Sequence, residues 1–297
     1  MPKQKLIIIS NLYPNSAEPT KGVFTKQIAE HLIEKYDIKV IAPLPWAPRW
    51  AKRIMSSVVD AIKIGRSLYG FFFFAGILLT LLKLKKEFKP DLINVHWIYP
   101  DGFGAVLAAK LLDLPIVTHS LGCDINEYSK YFLRRQLIKF TLQHADRNIV
   151  VSDALKTKCI ELGASEDKTT VILNGVDNTI FFNRNKLELR KQLGLPIDKK
   201  IFLFAGNFNV EKGLRYLIEA YSIVSKTQSN TLLCVVGSGP LEQEIDDQIK
   251  ALGIGNSVHL CGRVPHNNIP LYLGAADFLC LPSLREGCPN LVLNPQV

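Results

Sequence analysis

The chain has 297 residues, of which 47% are hydrophobic and 21% charged, and its formal net charge is +9. This length and apolar content suit two well-cored globular domains and disfavour an intrinsically disordered chain. The six cysteines include no Cys-x-x-Cys pair, so neither a zinc site nor a disulfide framework is indicated, and a reducing cytoplasm fits best.

The first part of the chain alternates short β-branched runs with helical segments. The sequence MPKQKLIIIS has an apolar run of only four residues, too short for a signal peptide, and we interpret it as the first strand. A helix is predicted over 23–35, where Phe24, Ile28 and Leu32 recur every four residues. Such alternation predicts a parallel α/β domain, with strands at 5–10, 38–42, 91–95, 115–118, 147–151 and 170–172.

A strongly basic segment interrupts this pattern. The segment from Arg49 to Lys89 contains nine lysines or arginines and only two acidic residues, Asp60 and Glu87. Within this segment lies the uncharged run SLYGFFFFAGILLTLL at 67–82. Sixteen residues are short for a membrane span. Two interpretations stay open: a half-buried helix with a solvated basic end, or a helix lying on an anionic membrane surface. Nucleic acid is disfavoured as a partner because no reading motif accompanies the charge.

The α/β pattern restarts after a polar stretch. Strands are predicted at 201–205, 231–236, 258–260 and 277–281, with one helix beginning near Glu211 and another opened by Pro240. We therefore expect two doubly wound parallel-sheet domains, 1–177 and 178–297, that face a ligand-binding cleft. Four strands make only the first part of such a sheet, so the second domain is expected to be incomplete.

Several residues that follow predicted strands are candidates for anion binding. Gly22 is placed at a helix start, and Lys212 is expected in the first turn of a helix, where its charge is unfavourable unless an anionic ligand is present. Gly237 and Gly239 open the next strand-to-helix turn. Together these two turns favour binding of a diphosphate. No G-x-G-x-x-G motif is present, which argues against a nicotinamide dehydrogenase.

Longer segments carry a family resemblance. The segments NLYPNSAEPTKGVFTKQ, ILNGVDNTIFF, FAGNFNVEKGLRYLIEAY, VVGSGPLEQEI and VHLCGRVPHNNIPLYLGAADFLCLPSLREGCPNLVL resemble the retaining family 4 glycosyltransferases of the GT-B fold. The resemblance runs nearly end to end and is most specific from Val258 to Leu293. Within the family, the amino-terminal segments are most similar to enzymes of teichuronic acid and capsular polysaccharide biosynthesis.

The resemblance implies roles for individual residues. Lys212 matches the lysine that grips the donor diphosphate, Gly22 the loop glycine near donor and acceptor, and Glu286 the carboxylate that accepts hydrogen bonds from the transferred sugar. The base would be received by the stretch that contains Arg263 and Val264. The backbone along the sugar would be that of Gly287, Cys288, Pro289, Asn290 and Leu291. A metal or other cofactor is not implied, and the nucleotide sugar is a co-substrate.

Three positions depart from the family pattern. Asn207 stands where many members have a second diphosphate-binding arginine, and it can donate hydrogen bonds without neutralising charge. The family histidine before Gly-x-Asp, the motif that ends here at Asp124, would fall at Leu121. His119 lies two residues earlier, on the same strand face, and is the preferred substitute over His96. Asn294 occupies the position of a second glutamate, and the family pattern continues for some eighty further residues.

The resemblance thus implies a transferase that moves a sugar from a nucleotide sugar to a lipid-linked or polysaccharide acceptor with retention of configuration. It would work in the cytoplasm, peripherally at the inner membrane face. Two alternatives stay open: a truncated, inactive fragment of such an enzyme, and a sugar-nucleotide epimerase on the same fold.

Overall fold

The protein divides into two compact units. The computed structural model describes residues 3–14, 22–43, 69–176, 185–287 and 289–292. Contacts group the chain into Met1–Leu173 and Asn174–Val297. Each unit contains its own parallel sheet with helices, so the predicted fold class of two parallel-sheet α/β domains is confirmed. The predicted boundary between residues 177 and 178 lies outside the described residues.

The sheet of the first unit follows the predicted strands closely. In the described part of this unit the strand order is β2-β1-β3-β4-β5-β6, and every neighbouring pair is parallel. Residues 6–9 of β1 are buried on both faces, as the unbroken apolar run LIII predicts for a central parallel strand. The strands are β1 Gln4–Ile9, β2 Tyr36–Ile41, β3 Leu92–His96, β4 Ile116–Ser120, β5 Arg147–Val150 and β6 Thr169–Val171.

The helices of this unit are α1 Val23–Leu32, α2 Tyr69–Glu87, α3 Phe103–Leu112, α4 Cys123–Asn126, α5 Phe132–His144 and α6 Asp153–Glu161. Helix α1 ends three residues earlier than predicted. It buries Thr25 and Ala29, whereas Phe24 is 45% exposed, so the apolar period of four residues did not identify the buried face.

Helix α2 settles the structure of the long apolar run. Phe73, Ile77 and Leu81 recur every four residues and are buried in the same core cluster as residues of α3, β1 and β3. A Cβ on Gly104 of α3 would lie 2.7 Å from the backbone nitrogen of Phe74, so the two helices touch closely. Across the described residues, we find no helix with both the length and the apolar character that a membrane crossing needs.

The second unit repeats the pattern with a smaller sheet. Its described strands are ordered β10-β7-β8-β9 and are all parallel. They are β7 Lys200–Ala205, β8 Thr231–Val236, β9 Val258–Gly262 and β10 Phe278–Leu279. The helices are α7 Lys186–Leu193, α8 Leu214–Thr227, α9 Glu242–Ala251 and α10 Ile269–Ala275. Every residue of β8 is buried, and α8 packs Leu214, Ile218 and Tyr221 inward from one face of the helix.

Two predicted helix starts in this unit are wrong by a few residues. Residues Val210–Lys212 form a separate 3-10 turn, and α8 begins only after Gly213, whose φ of 65° breaks the helical path. Lys212 therefore precedes the α-helix instead of lying in its first turn. Helix α9 begins at Glu242, two residues after Pro240.

Candidate active site

In the second unit, the loop after β7 places a lysine beside a distant carboxylate. The side chain of Asn209 accepts a hydrogen bond from the backbone N–H of Lys212 at 3.1 Å, which fixes the turn. The ammonium of Lys212 then lies 2.6 Å from a carboxylate oxygen of Glu286, which follows β10. Both side chains keep about a quarter to a third of their surface exposed, so the pair remains open to solvent. Two residues chosen from the sequence, 74 positions apart, are thus brought together.

Backbone contacts hold the loop after β10 against the start of α8. The N–H of Leu284 donates to the carbonyl of Glu211 at 2.8 Å. A Cβ on Gly213 would lie 2.1 Å from the carbonyl oxygen of Pro282, so both its positive φ and this close approach require glycine. Lys212 and Glu286 therefore stand on two loops that are fastened to each other.

The glycines after β8 allow this loop to interlock with the loop after β7. Gly237 has a φ of 141°, and a Cβ there would lie 1.9 Å from the carbonyl oxygen of Gly206. A Cβ on Gly239 would clash with the backbone of Phe208, whose N–H donates to Ser238 at 3.0 Å. Gly237 and Gly239 thus bring two backbone segments together, which side chains at these positions would prevent.

The remaining predicted donor-binding residues surround these loops. Asn207 is exposed directly after β7, and Val264 packs partly into the core beside β9, two residues after Gly262. Beyond Glu286 the chain passes through Gly287, and Asn290 accepts a hydrogen bond from the Asn174 side chain at 2.7 Å. Arg263, Pro289 and Leu291 lie within the described residues. Cys288 and Asn294 lie outside them.

In the first unit, His96 and His119 form a buried pair at the carboxyl ends of β3 and β4. They are direct register partners, and their ring centroids are 4.8 Å apart. Burial, with a smaller contribution from His119, lowers the pKa of His96 to about 3, and burial lowers the pKa of His119 to about 4. Both rings are therefore neutral at physiological pH. Neither ring nitrogen of His96 has a hydrogen-bond partner among the described residues.

Asp124 holds the loops around this pair. Its carboxylate accepts hydrogen bonds from the N–H groups of Ile98 at 2.9 Å and Gly122 at 2.9 Å and from the hydroxyl of Ser120 at 3.0 Å. Burial raises its pKa, and these hydrogen bonds oppose that rise. The side chain is fully buried, and its hydrogen bonds to Ile98 and Gly122 hold the turns after β3 and β4 in position.

Asp101 has a comparable position, although no sequence pattern predicted it as a site residue. Its carboxylate is buried and accepts a hydrogen bond from the N–H of Asn11 at 2.6 Å, joining the loops after β3 and β1. Gly22 contacts the same β1 loop, because a Cβ there would lie 2.0 Å from the carbonyl oxygen of Leu12. The sequence feature that could have identified Asp101 is a single charged residue within the largely apolar stretch HWIYPDGF.

In the described part of the chain, no three His, Cys, Asp or Glu side chains are grouped as metal ligands.

Comparison with known families covers both units. Residues 22–179 match the model of Glycosyltransferase Family 4, and residues 185–296 match that of Glycosyl transferases group 1. The chain belongs to glycosyltransferase family 4. The predicted family resemblance is thereby confirmed.

The similarity to individual members of the family, and to a protein of similar fold, covers most of the chain. The chain is 28% identical to the teichuronic acid biosynthesis glycosyltransferase TuaC of Bacillus subtilis (strain 168), over 97% of this chain and 77% of TuaC. It is 30% identical to the UDP-Gal:alpha-D-GlcNAc-diphosphoundecaprenol alpha-1,3-galactosyltransferase of Escherichia coli, over 74% of this chain and 58% of that protein. Anabaena HepE, solved with UDP and glucose, matches the fold with a TM-score of 0.70 at 19% identity, over 98% of this chain and 77% of HepE.

Proposed function

We propose that this family 4 glycosyltransferase takes a sugar from a nucleoside diphosphate sugar and transfers it with retention of anomeric configuration. The observation that supports this donor class is the meeting of Lys212 and Glu286 at 2.6 Å on two fastened loops. A cation for the diphosphate and an acceptor for sugar hydroxyls would lie side by side, as the directly bonded diphosphate and sugar of a nucleotide sugar require. The UDP complexes of the fold relative HepE are in line with this donor class.

Each group in the proposed donor site has a distinct task. Lys212 neutralises the diphosphate, and its charge grows in importance as the bond from the sugar to the diphosphate breaks. The exposed amide of Asn207 can donate hydrogen bonds to phosphate oxygens without adding charge. Glu286 accepts hydrogen bonds from the sugar hydroxyls and orients the anomeric carbon.

Retention follows if the acceptor attacks from the face that the diphosphate leaves. The departing phosphate oxygen then takes the acceptor's proton, so the reaction proceeds without an enzymatic nucleophile or a metal ion. Neutral His119, beside His96 in the first unit, would serve as a hydrogen-bonding group toward the acceptor, and Asp124 would keep the neighbouring turns in place.

For the acceptor we propose a lipid-linked saccharide or a growing polysaccharide, handled at the cytoplasmic face of an anionic membrane. The named substrate of the Escherichia coli relative is a diphosphoundecaprenol saccharide. In α2 the side turned away from the core exposes Phe72 by 67% and Leu79 by 70%, and Lys83 and Lys86 continue the same stripe. Apolar side chains flanked by lysines are typical of a helix that lies in the membrane interface.

A second exposed aromatic group lies near the start of α2. The N–H of Gly70 donates to the hydroxyl of Tyr99 at 3.2 Å, and the Tyr99 ring is 6.3 Å from that of Tyr128. Tyr128 is followed closely by Phe132, the first residue of α5, which is 79% exposed. Phe132 thus adds a further exposed aromatic side chain to the first unit.

A nucleotide titration tests the donor site. We expect UDP, GDP or ADP to raise the melting temperature of the full chain, and the best of these to bind about 10- to 100-fold more weakly to Lys212→Met, since a charge-assisted hydrogen bond contributes about 1.5–3 kcal/mol. The matched control is Lys226→Met, an exposed lysine at the far end of α8. Equal affinity of Lys212→Met and the control would contradict the diphosphate assignment.

The same titration separates the attraction between Lys212 and the phosphates from the repulsion between Glu286 and the phosphates. Removing Lys212 alone leaves Glu286 without its cation near the phosphates, so Lys212→Met/Glu286→Gln should recover part of the lost nucleotide affinity. Glu286→Gln alone should leave affinity for the nucleoside diphosphate nearly unchanged and weaken binding of the nucleotide sugar. If none of the three nucleotides shifts the melting temperature of the wild-type chain, the proposed donor class is wrong.

A further inference from the structure

Two cysteines are in contact on neighbouring strands of the second unit. Cys234 lies in β8 and Cys261 in the neighbouring strand β9, with their sulfur atoms 3.3 Å apart. The strand register shifts between Val235, which pairs with Leu260, and Val236, which pairs with Gly262. Cys261 is therefore the extra residue of a β-bulge, and the bulge accompanies its contact with Cys234.

The two thiols differ in access and acidity. Cys234 is 1% exposed, whereas Cys261 is half-buried. A hydrogen bond from the Cys234 thiol lowers the pKa of Cys261, with help from the Tyr272 hydroxyl and against the opposing effect of burial. The same hydrogen bond and burial raise the pKa of Cys234. Cys261 is thus the more accessible cysteine and the one that ionises more readily to a thiolate, and Cys234 is a protonated thiol in contact with it.

We propose that Cys261 and Cys234 form a reversible disulfide that regulates the nucleotide site, an inference that rests on the proposed function. A peroxide supplies the oxidant. The Cys261 thiolate attacks hydrogen peroxide, breaking the O–O bond to give a sulfenic acid and, with one proton, water. The Cys234 thiol then attacks the sulfenic sulfur and releases a second water, and a dithiol reductant reverses the change. Disulfides in reducing compartments are commonly transient and redox-sensing.

The position of the bulge connects this bond to the donor loops. Forming the disulfide requires Cys261 to turn its side chain fully toward Cys234, and the irregular backbone of the bulge carries that side chain. The residue after Cys261 is Gly262, whose carbonyl accepts the N–H of Gly237 at 2.9 Å. Gly237 in turn has no free space against the carbonyl of Gly206. A change of backbone conformation at Cys261 would therefore act first on the Gly262–Gly237 hydrogen bond, and through it on the turn that contacts Gly206.

Crosslinking is tested first, without any nucleotide. The reduced full chain is treated with hydrogen peroxide, free thiols are alkylated, and peptides are mapped by mass spectrometry. We expect a Cys234–Cys261 peptide pair that dithiothreitol removes, that Cys234→Ala and Cys261→Ala abolish, and that the control Cys280→Ala retains. Hydrogen exchange at the Gly237 amide should rise at least tenfold on oxidation. Overoxidation of Cys261 without a crosslink, or unchanged exchange at Gly237, would overturn the proposal.

Nucleotide affinity then tests regulation. UDP, GDP and ADP are titrated into reduced and oxidised protein, and we expect oxidation to weaken the best of them at least tenfold in the wild-type chain and in Cys280→Ala, but not in Cys261→Ala. A crosslink that leaves affinity unchanged would refute regulation while the donor assignment stands. Absence of nucleotide binding by the reduced wild-type chain would instead refute the donor assignment, and with it regulation of that site, while the crosslink and hydrogen exchange still report on the thiol pair itself.

Discussion

The buried histidines make the first unit sensitive to acid. His96 and His119 have pKa values lowered to about 3 and about 4, whereas an unfolded chain titrates near 6.5. Between these values the unfolded chain binds protons that the native chain does not, so stability is complete above about pH 6.5 and falls as the pH decreases toward 4. Each histidine can remove up to about 1.4 kcal/mol per pH unit in that window. From pH 7 to 5.5 the pair should cost about 2 kcal/mol.

Tryptophan fluorescence can measure this effect in one unit. All three tryptophans, Trp46, Trp50 and Trp97, belong to the first unit. Urea unfolding followed by their emission should show the loss of stability in the wild-type chain and a clearly smaller loss in His96→Gln/His119→Gln. The comparison uses the pH dependence of each protein, so a lower overall stability of the variant does not affect it. Equal pH dependence of the two proteins would contradict the assignment to this pair.

At the scale of elements, one buried arginine joins a helix to the sheet of the second unit. Arg190 of α7 is 4% exposed and donates to the carbonyls of Ala275, Ile197 and Lys199 at 2.9–3.0 Å and to Asp277 at 2.6 Å. Asp277 also accepts the N–H of Ile201 at 2.8 Å, at the start of β7. Arg190→Met leaves three carbonyls and a carboxylate without this donor, and should destabilise the second unit by about 3–5 kcal/mol.

Hydrogen exchange of amides in β7 and β8 measures that loss within the second unit. Arg190→Lys keeps the charge but not the five donors of the guanidinium group, so the stability of its second unit should lie between those of wild type and Arg190→Met. The control is Arg215→Met, which breaks an exposed pair with Glu244 and should change little. If hydrogen exchange in Arg190→Met is as slow as in this control, the Arg190 hydrogen bonds do not hold α7 to the sheet.

The sequence predicted the elements better than their junctions. All ten described strands were expected, because buried parallel strands are short, β-branched and well separated. The start of α8 was missed because apolar periodicity does not report the positive φ of Gly213, or its close approach to the distant Pro282. The strand-to-helix turn and the family resemblance both selected Lys212, and the resemblance selected Glu286, but periodicity could not predict their contact. The Cys234–Cys261 contact depends on a bulge, which shifts strand register without changing composition.

At the scale of the whole molecule, the uneven distribution of positive charge is the basis of the membrane proposal. The net charge is +9, and residues 49–89 alone carry nine of the basic side chains against two acidic ones. The described part of that segment is mainly α2, where exposed Phe72 and Leu79 share a stripe with Lys83 and Lys86. Electrostatic attraction would bring the protein to anionic lipid, and the apolar side chains would then enter the interface.

Vesicle sedimentation separates these two contributions. The full chain should bind phosphatidylglycerol-containing vesicles much more tightly than neutral phosphatidylcholine vesicles in about 0.05 M salt, and lose most of this binding at about 0.5 M, where the Debye length is only a few ångströms. Lys83→Gln/Lys86→Gln should weaken binding at low salt, whereas Phe72→Ser/Leu79→Ser should weaken it at both salt concentrations. The control Ile223→Ser removes an equally exposed apolar residue from the second unit and should bind like wild type. Equal binding to both vesicle types would contradict electrostatic recruitment, and an unchanged Phe72→Ser/Leu79→Ser variant would show that α2 does not enter the lipid.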